Sequence, residues 1–284
     1  MKRTVLRTLV LVTSVIFCIS QVAGAAPNNK HESRLQIATD SSGNVVVSWT
    51  GKGELHEARG RHGQYKKVHK SSSPYVVAPT EGETTYRLSA ADGGVVSQNV
   101  VGYVNLSLPP GLSLIANPLD YTNNSLGFWL PNPPAGAQVY KYTAENGYEV
   151  STFDEIDGVW SNPDLQVPIG VGFFFRNPSA TSFGQTFVGE VPQGWLTNSL
   201  PEGYSTKGSL VPKSETLNGH GIPGEPGDEI RTYTNDLQGG GDYNISSYVD
   251  SQVGWQPDLL LGVGQGFWIY KQNPQDWVRY FSVN

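Results

Sequence analysis

The side chains able to do chemistry in this chain fall into acidic, aromatic and basic groups. The densest acidic group is "FDEID", with Asp154, Glu155 and Asp157; a related stretch, "YVDSQ", keeps only Asp250. Glycoside hydrolysis needs two carboxyl groups across a cleft, roughly 5–10 Å apart. A run along one turn does not supply that arrangement. The same oxygen donors suit calcium, either at Asp154, Glu155 and Asp157 or at Asp236, Asp242 and Asp250 around "NDLQGGGDYN". Neither stretch has the spacing of a helix–loop–helix calcium site, so ordinary acidic turns are the plainer reading. A structural calcium is the one ion these groups would take, and no cofactor is expected.

Other catalytic patterns are missing from the sequence. There is no "GxSxG" elbow and no "GxxxxGK[ST]" phosphate loop. "GEPGDE" and "LQGGGD" read as glycine turns. His56, His62 and His69 lie among lysines and arginines, which disfavours zinc. His220, in "NGHGIPG", reads as a loop histidine. The basic residues Lys52, Arg59, Arg61, Lys66, Lys67 and Lys70 offer a grip for an anionic glycan or envelope polymer, or simply the solvated faces of strands.

The chain has 7 Trp, 14 Tyr and 10 Phe. Several aromatics recur at nearly the same offset along the chain and read as core: Tyr142 with Tyr233, Tyr148 with Tyr243, Trp160 with Trp255, Phe173 with Phe267, Phe174 with Trp268, Phe183 with Trp277. Trp129 in "LGFWLPNP" and Trp195 in "PQGWLTN" have no aromatic partner at that offset and sit in turn-like contexts. They are the candidate ligand-stacking rings, for a sugar face, with interdomain packing as the alternative for Trp195.

Residues 1–25 have the three-part plan of a secretory signal: Lys2, Arg3 and Arg7, then an apolar run, then Ala23 and Ala25 before a cleavage point. Its apolar run is too short for a membrane span. Export is therefore expected, to the exterior, the cell surface or the periplasm. The sole cysteine, Cys18, lies in this segment, so the remainder is held by burial and not by disulfides. Residues 26–70 carry a net +4 and residues 71–284 a net −13. An acidic body argues against nucleic acid as a partner.

The elements that must position these groups are strands. With 33 Gly and 19 Pro, the composition predicts an all-β protein rich in turns. Residues 26–101 resemble a fibronectin type III or immunoglobulin-like sandwich, with Trp49 as a core tryptophan and Tyr86 as a buried tyrosine. Residues 102–194 and 195–284 read as two tandem repeats of about 90 residues. "GVGFFFRNP" at 170–178 returns as "GQGFWIYKQNP" at 264–274. A continuous aromatic run needs cover on both faces, so each phrase predicts a central strand. Gly170, Gly172, Gly264 and Gly266 would allow positive φ or close backbone approach. A short helical turn is expected at 125–130, capped by Asn124.

The opening "GLSLIANPL", the stretch through "VWSNPDLQVPIGVGFFFRNP" and the closing "FVGEV" resemble a family of secreted bacterial proteins whose tandem units carry a "GxxLIxNP" opening and a "GxGFF" closing strand. The resemblance covers about residues 102–284 and implies no established activity. Taken together, the sequence points to an exported, non-catalytic surface module with a structural, adhesive or display role. A carbohydrate-binding module and a glycan-active hydrolase are the alternatives, with a glycan or an envelope protein as partner.

Overall fold

The computed structural model describes residues 33–60, 63–121, 123–235 and 241–283. The signal segment, Cys18, His31, Arg61, His62 and Asp236 lie outside them. The described chain is all-β, as its composition dictates, and its strands form several open sheets. Among the described residues no helix is long and apolar enough to cross a membrane.

The N-terminal region contributes β1 (Arg34–Thr39), β2 (Val45–Thr50), β3 (Glu54–Arg59), β4 (Lys66–Lys67), β5 (Tyr75–Val77) and β6 (Gly82–Ser89). Strands β1, β2 and β5 form one sheet. In β2, "VVVSWT" alternates strictly: Val45 and Val47 are buried while Val46 and Ser48 are not, the period-two signature of a half-covered sheet. Tyr86 is fully buried in this core, whereas Trp49 is half-buried at its margin.

The next stretch holds β7 (Val101–Leu108), β8 (Gly111–Ala116), the one-turn α1 (Leu126–Trp129), β9 (Gln138–Thr143), β10 (Gly147–Asp154), β11 (Val159–Trp160), β12 (Gly172–Asn177) and β13 (Phe183–Glu190). The cap of α1 is Ser125 rather than Asn124, and it makes no side-chain cap bond; the local hydrogen bond runs instead from the Ser125 N–H to Asn123 Oδ1 at 3.0 Å. Strands β7 and β13 do not stand apart from the N-terminal region. They join β6, β3 and β4 in one sheet, ordered β13-β7-β6-β3-β4. Alternate residues of β7 and β13 serve two cores. Val101, Tyr103 and Val188 face the N-terminal core. Val104, Leu108 and Phe187 face the one built on β8–β12.

The last stretch holds β14 (Gly194–Leu200), β15 (Gly203–Gly208), β16 (Glu215–Thr216), β17 (Glu229–Asn235), β18 (Gly241–Tyr248), β19 (Trp255–Gln256), β20 (Leu260–Leu261), β21 (Gly266–Lys271) and β22 (Gln275–Phe281). Two five-stranded sheets then follow one plan. The first has the order β11-β10-β9-β12-β8 and the second β19-β18-β17-β21-β15. Their registers correspond pair by pair: Phe153 opposes Trp160 as Tyr248 opposes Trp255, and Phe175 opposes Val139 as Ile269 opposes Ile230. Both tryptophans also donate Nε1–H to a loop carbonyl, Trp160 to Leu130 at 2.7 Å and Trp255 to Ile222 at 2.8 Å. The repeated aromatic phrases are the strands β12 and β21, each flanked on both sides.

The two sheets meet along a seam that has local two-fold character. The Ala116 N–H donates to the Gly264 carbonyl at 2.9 Å, and the Gly208 N–H donates to the Gly170 carbonyl at 3.0 Å. Ile115 bridges Gln265 as Lys207 bridges Val171. This is where the glycines of the repeated phrase are required. Gly170 and Gly264 have φ of 75° and 69°. A Cβ on Gly172 would lie 2.8 Å from the Lys207 carbonyl oxygen, and one on Gly266 would lie 2.8 Å from that of Ile115.

Candidate functional site

Alternation in the central strands decides what faces the seam. Phe267 and Ile269 point into the second core and are fully buried; Trp268 and Tyr270, between and after them, take the opposite face and stay half-buried. The same alternation puts Tyr204 of β15, Arg231 of β17 and Tyr243 of β18 on that face, and Tyr142 of β9 reaches it from the first sheet. Tyr142, Tyr204, Arg231, Tyr243 and Trp268 line a groove of about 260 Å³.

The rings hold one another mostly edge to face. Tyr142 meets Trp268 at 4.7 Å between ring centres and 64°, and Tyr148 stands against both, at 5.5 Å and 6.4 Å. Tyr204 lies 4.9 Å from Tyr270 and 6.2 Å from Trp268. Such pairs add about 0.5–1.5 kcal/mol beyond the area they bury, so the groove walls are fixed before any ligand arrives. Arg231 is held over the Tyr204 ring at 5.4 Å and donates to its hydroxyl at 3.1 Å. Its ion pair with Glu229 raises its pKa further and commits that carboxylate. Burial, then the neighbouring Tyr243 and Tyr142, push the Tyr148 hydroxyl above the ordinary tyrosine range, so it stays a neutral donor and acceptor.

The groove thus offers flat apolar surfaces, phenolic hydroxyls at the rim and one immobilised guanidinium. Among the described residues its lining contains no carboxyl group, no imidazole and no serine or threonine hydroxyl. That set is suited to stacking and hydrogen bonding.

The seam's other end has the same strands and a different surface. Phe174 meets Tyr233 at 5.3 Å and 88°, the counterpart of Trp268 with Tyr142. Leu112 occupies the register position of Tyr204, and Tyr140 that of Arg231. Asn235 donates to the Pro110 carbonyl at 2.6 Å across this end. Phe174 is buried there, whereas its counterpart Trp268 is not.

The two tryptophans singled out from the sequence part ways. Trp129 ends α1 and packs against Phe173 at 5.5 Å and Phe187 at 5.3 Å, on the margin of the first core. Trp195 stands on the β14–β22 ribbon, 76% exposed, directly opposite Tyr280, which is 61% exposed; their rings meet edge to face at 5.5 Å. Of the matched aromatics read as core, Trp160, Trp255, Phe173 and Phe267 are buried. Tyr148, 49% exposed, and Tyr243 belong to the seam surface instead. Nothing in the sequence marked Tyr204 or Arg231. The available signal was the alternation within "GFWIYK", where every second large residue must look away from the core.

The acidic candidates are turn formers. Asp154 accepts from the Ile156 and Asp157 N–H groups, and Asp250 accepts from those of Gln252 and Val253 in the matching turn. Asp242 accepts from the Tyr243 N–H. Among the described residues no group of three or more His, Cys, Asp or Glu stands in position to hold a metal ion. His220 is in a loop but buried, its Nδ1 2.8 Å from Arg279 and its carbonyl accepting from Trp277 Nε1 at 3.0 Å. In the basic stretch, Lys67 pairs with Glu54 and Arg59 with Glu57. A second, more polar cleft of about 460 Å³ lies between the N-terminal sandwich and the chain's last residues. Among the described residues one carboxyl group lines it, Glu83, raised in pKa by burial; Arg87 stacks 4.0 Å above Tyr65 beside it.

Comparison with protein-family models, with curated proteins and with solved structures finds no match to the chain.

Proposed function

We propose that this chain is an exported, non-catalytic binding module and that the aromatic groove at the seam takes a carbohydrate. The observation that carries this reading is the open seam of Tyr142, Tyr204, Arg231, Tyr243 and Trp268, fixed by its own ring contacts. A pyranose presents an apolar C–H face with hydroxyls around its rim. Rings that supply flat apolar area with phenolic hydroxyls and a guanidinium at the edges complement that shape. The signal-like segment and the resemblance to secreted bacterial proteins support export to the exterior, the cell surface or the periplasm. The common strand order and register of the two five-stranded sheets supports reading residues 102–194 and 195–284 as tandem copies. Strand β7 belongs to the first copy by sequence and to the sheet of the N-terminal sandwich by pairing.

The test is retention of the folded protein on a panel of insoluble polysaccharides and cell-wall preparations, beside Trp268→Ala, Tyr204→Ala and Trp195→Ala. Loss of one stacking ring is expected to weaken binding by about 1–2 kcal/mol, roughly tenfold. Retention that falls with Trp268→Ala and Tyr204→Ala, but not with Trp195→Ala, places the ligand in the seam. Retention lost only with Trp195→Ala moves the site to the ribbon. No retention on any polysaccharide removes the carbohydrate reading and leaves a structural or protein-binding module, the second reading, for which the exposed Trp195–Tyr280 pair is the supporting observation.

A further inference from the structure

The loop "PGEPGD", Pro223 to Asp228, brings its last carboxyl group against Lys271 at the end of β21. Both side chains are completely out of water, the one ion pair among the described residues of which this is true. Three acceptors surround Lys271 Nζ: Asp228 Oδ2, Gln275 Oε1 at 2.6 Å and the Pro223 carbonyl at 3.4 Å. Both Asp228 oxygens also receive backbone N–H groups, Oδ1 from Gln272 and Oδ2 from Glu225, each at 2.8 Å. Gln275 is fixed in turn by its Nε2, which donates to Glu225 Oε1 at 2.8 Å.

The fold does not require charge at this point. In the first sheet the register position of Lys271 is Asn177, and that of Asp228 is Ala137. Asn177 is buried and neutral, and it donates to the Leu108 and Thr181 carbonyls at 3.1 and 2.8 Å. A buried ion pair is often no more stabilising than a neutral filling of the same space, because desolvation offsets the attraction. The second sheet has therefore placed an amine and a carboxyl in a dry site where a neutral amide serves its counterpart.

We propose that Lys271 and Asp228 are joined by an intramolecular isopeptide bond. A proton passes from the ammonium to the carboxylate, leaving an amine beside a carboxylic acid. The Nζ lone pair attacks Asp228 Cγ, and the Gln272 N–H stabilises the charge that develops on Oδ1 in the tetrahedral intermediate, as an oxyanion-hole donor does, while the Glu225 N–H holds Oδ2, the oxygen that takes the proton and leaves. One Cγ–O bond breaks. The oxygen departs as water with two of the three ammonium protons, and the third stays on the amide nitrogen. No oxidant, energy source or second molecule is needed. Burial keeps out the water that would otherwise compete, and the product has no charge to desolvate. The bond would tie the 223–228 loop to the β21–β22 hairpin and close the chain segment that contains β17, β18 and β19.

The test is peptide mapping and intact mass of the purified chain. The expected result is a mass lower than the sequence requires by one water, with the peptides containing Asp228 and Lys271 recovered as a single branched species. Asp228→Ala and Lys271→Arg should restore the full sequence mass. Asp228→Asn, which keeps the shape of the site, should still form the bond and lose one ammonia instead. Unlinked peptides of full mass from wild-type protein that shows a β-type circular dichroism spectrum and cooperative unfolding would overturn the proposal, leaving a plain buried ion pair. A water loss mapped to any other residue would overturn it equally.

Discussion

The two ends of the seam are made by corresponding strands, and one is filled while the other is open. At the filled end Phe174 is buried against Tyr233, Leu112 holds the register position of Tyr204, and Asn235 reaches across to Pro110. At the open end Trp268 replaces Phe174, Tyr204 replaces Leu112 and Arg231 replaces Tyr140, so larger and more polar groups line a groove. The backbone is shared; three side-chain choices turn a packing surface into an open groove lined by aromatic rings. The same contrast holds deeper in each half, where Asn177 and Ala137 stand in one sheet and Lys271 and Asp228 in the other.

The shared plan can be broken most severely at its cores. Trp160 and Trp255 are both buried and both donate to a loop carbonyl. Replacing either by Ala leaves a large cavity and an unpaired carbonyl, at a cost of about 3–5 kcal/mol. Denaturant unfolding should give nearly equal losses for the two variants. A loss at Trp255 alone would show that the two cores do not share the load their geometry implies.

A smaller effect probes the seam itself. A Cβ on Gly208 would fall 2.1 Å from the Cβ of Ala116, its register counterpart. One member of this pair must therefore be glycine. Gly208→Ala is expected to destabilise by about 2 kcal/mol through overpacking. Adding Ala116→Gly should recover most of that loss, because the two changes share one contact. Failure of the double variant to recover would mean that Gly208 is needed for its backbone rather than its missing side chain.

Much of this plan was legible in the sequence and some could not be. The central position of "GFFFRN" and "GFWIYK" followed from runs of large apolar residues that one-sided burial cannot satisfy. The glycines before them signalled close backbone approach. What the sequence could not convey was which surface lies opposite. Trp268 and Tyr270 announce a second face by alternation, but that this face meets the first sheet and stays open at one end depends on Leu112 and Tyr204, far away along the chain. Trp129 looked free because its local context is a turn; its ring is half-buried and packs on Phe173 and Phe187 from other strands. Asp228 and Lys271 gave no local sign of each other at all.

Electrostatics separates the halves more gently. Glu215 precedes the turn that contains His220; its counterpart by strand register is Asn124. Burial raises the Glu215 pKa, but Lys213, then His220 and Arg279, outweigh it and hold the carboxyl below its usual range. A carboxyl lowered in the folded state adds stability that is complete above its unfolded value and disappears as pH falls through the folded one. Glu215→Gln should therefore cost about 1 kcal/mol near neutral pH and nothing once the pH is below the lowered value of the folded carboxyl. Asn124→Asp, placed in the other half without those cations, should show no such gain on raising the pH. Urea unfolding at several pH values reads both.

The smallest effect on stability is expected at the most conspicuous residue. Trp195 is mostly in water, and its one ring partner, Tyr280, is exposed as well. Removing it forfeits little burial, so Trp195→Ser should change stability by less than about 0.5 kcal/mol. The ribbon it stands on is held from below, by Leu200 and Trp277 in the core of the second half, and keeps its register without it. In the first half the matching pair of strands, β7 and β13, has β6 added at its edge and part of its outer face covered by the N-terminal core. A ribbon with an exposed tryptophan on it, where its counterpart is covered, is the surface on which the second reading, a structural or protein-binding module, rests. If Trp195→Ser instead destabilised the protein substantially, the ring would be a structural element and the contrast between covered and bare ribbons would lose its functional meaning.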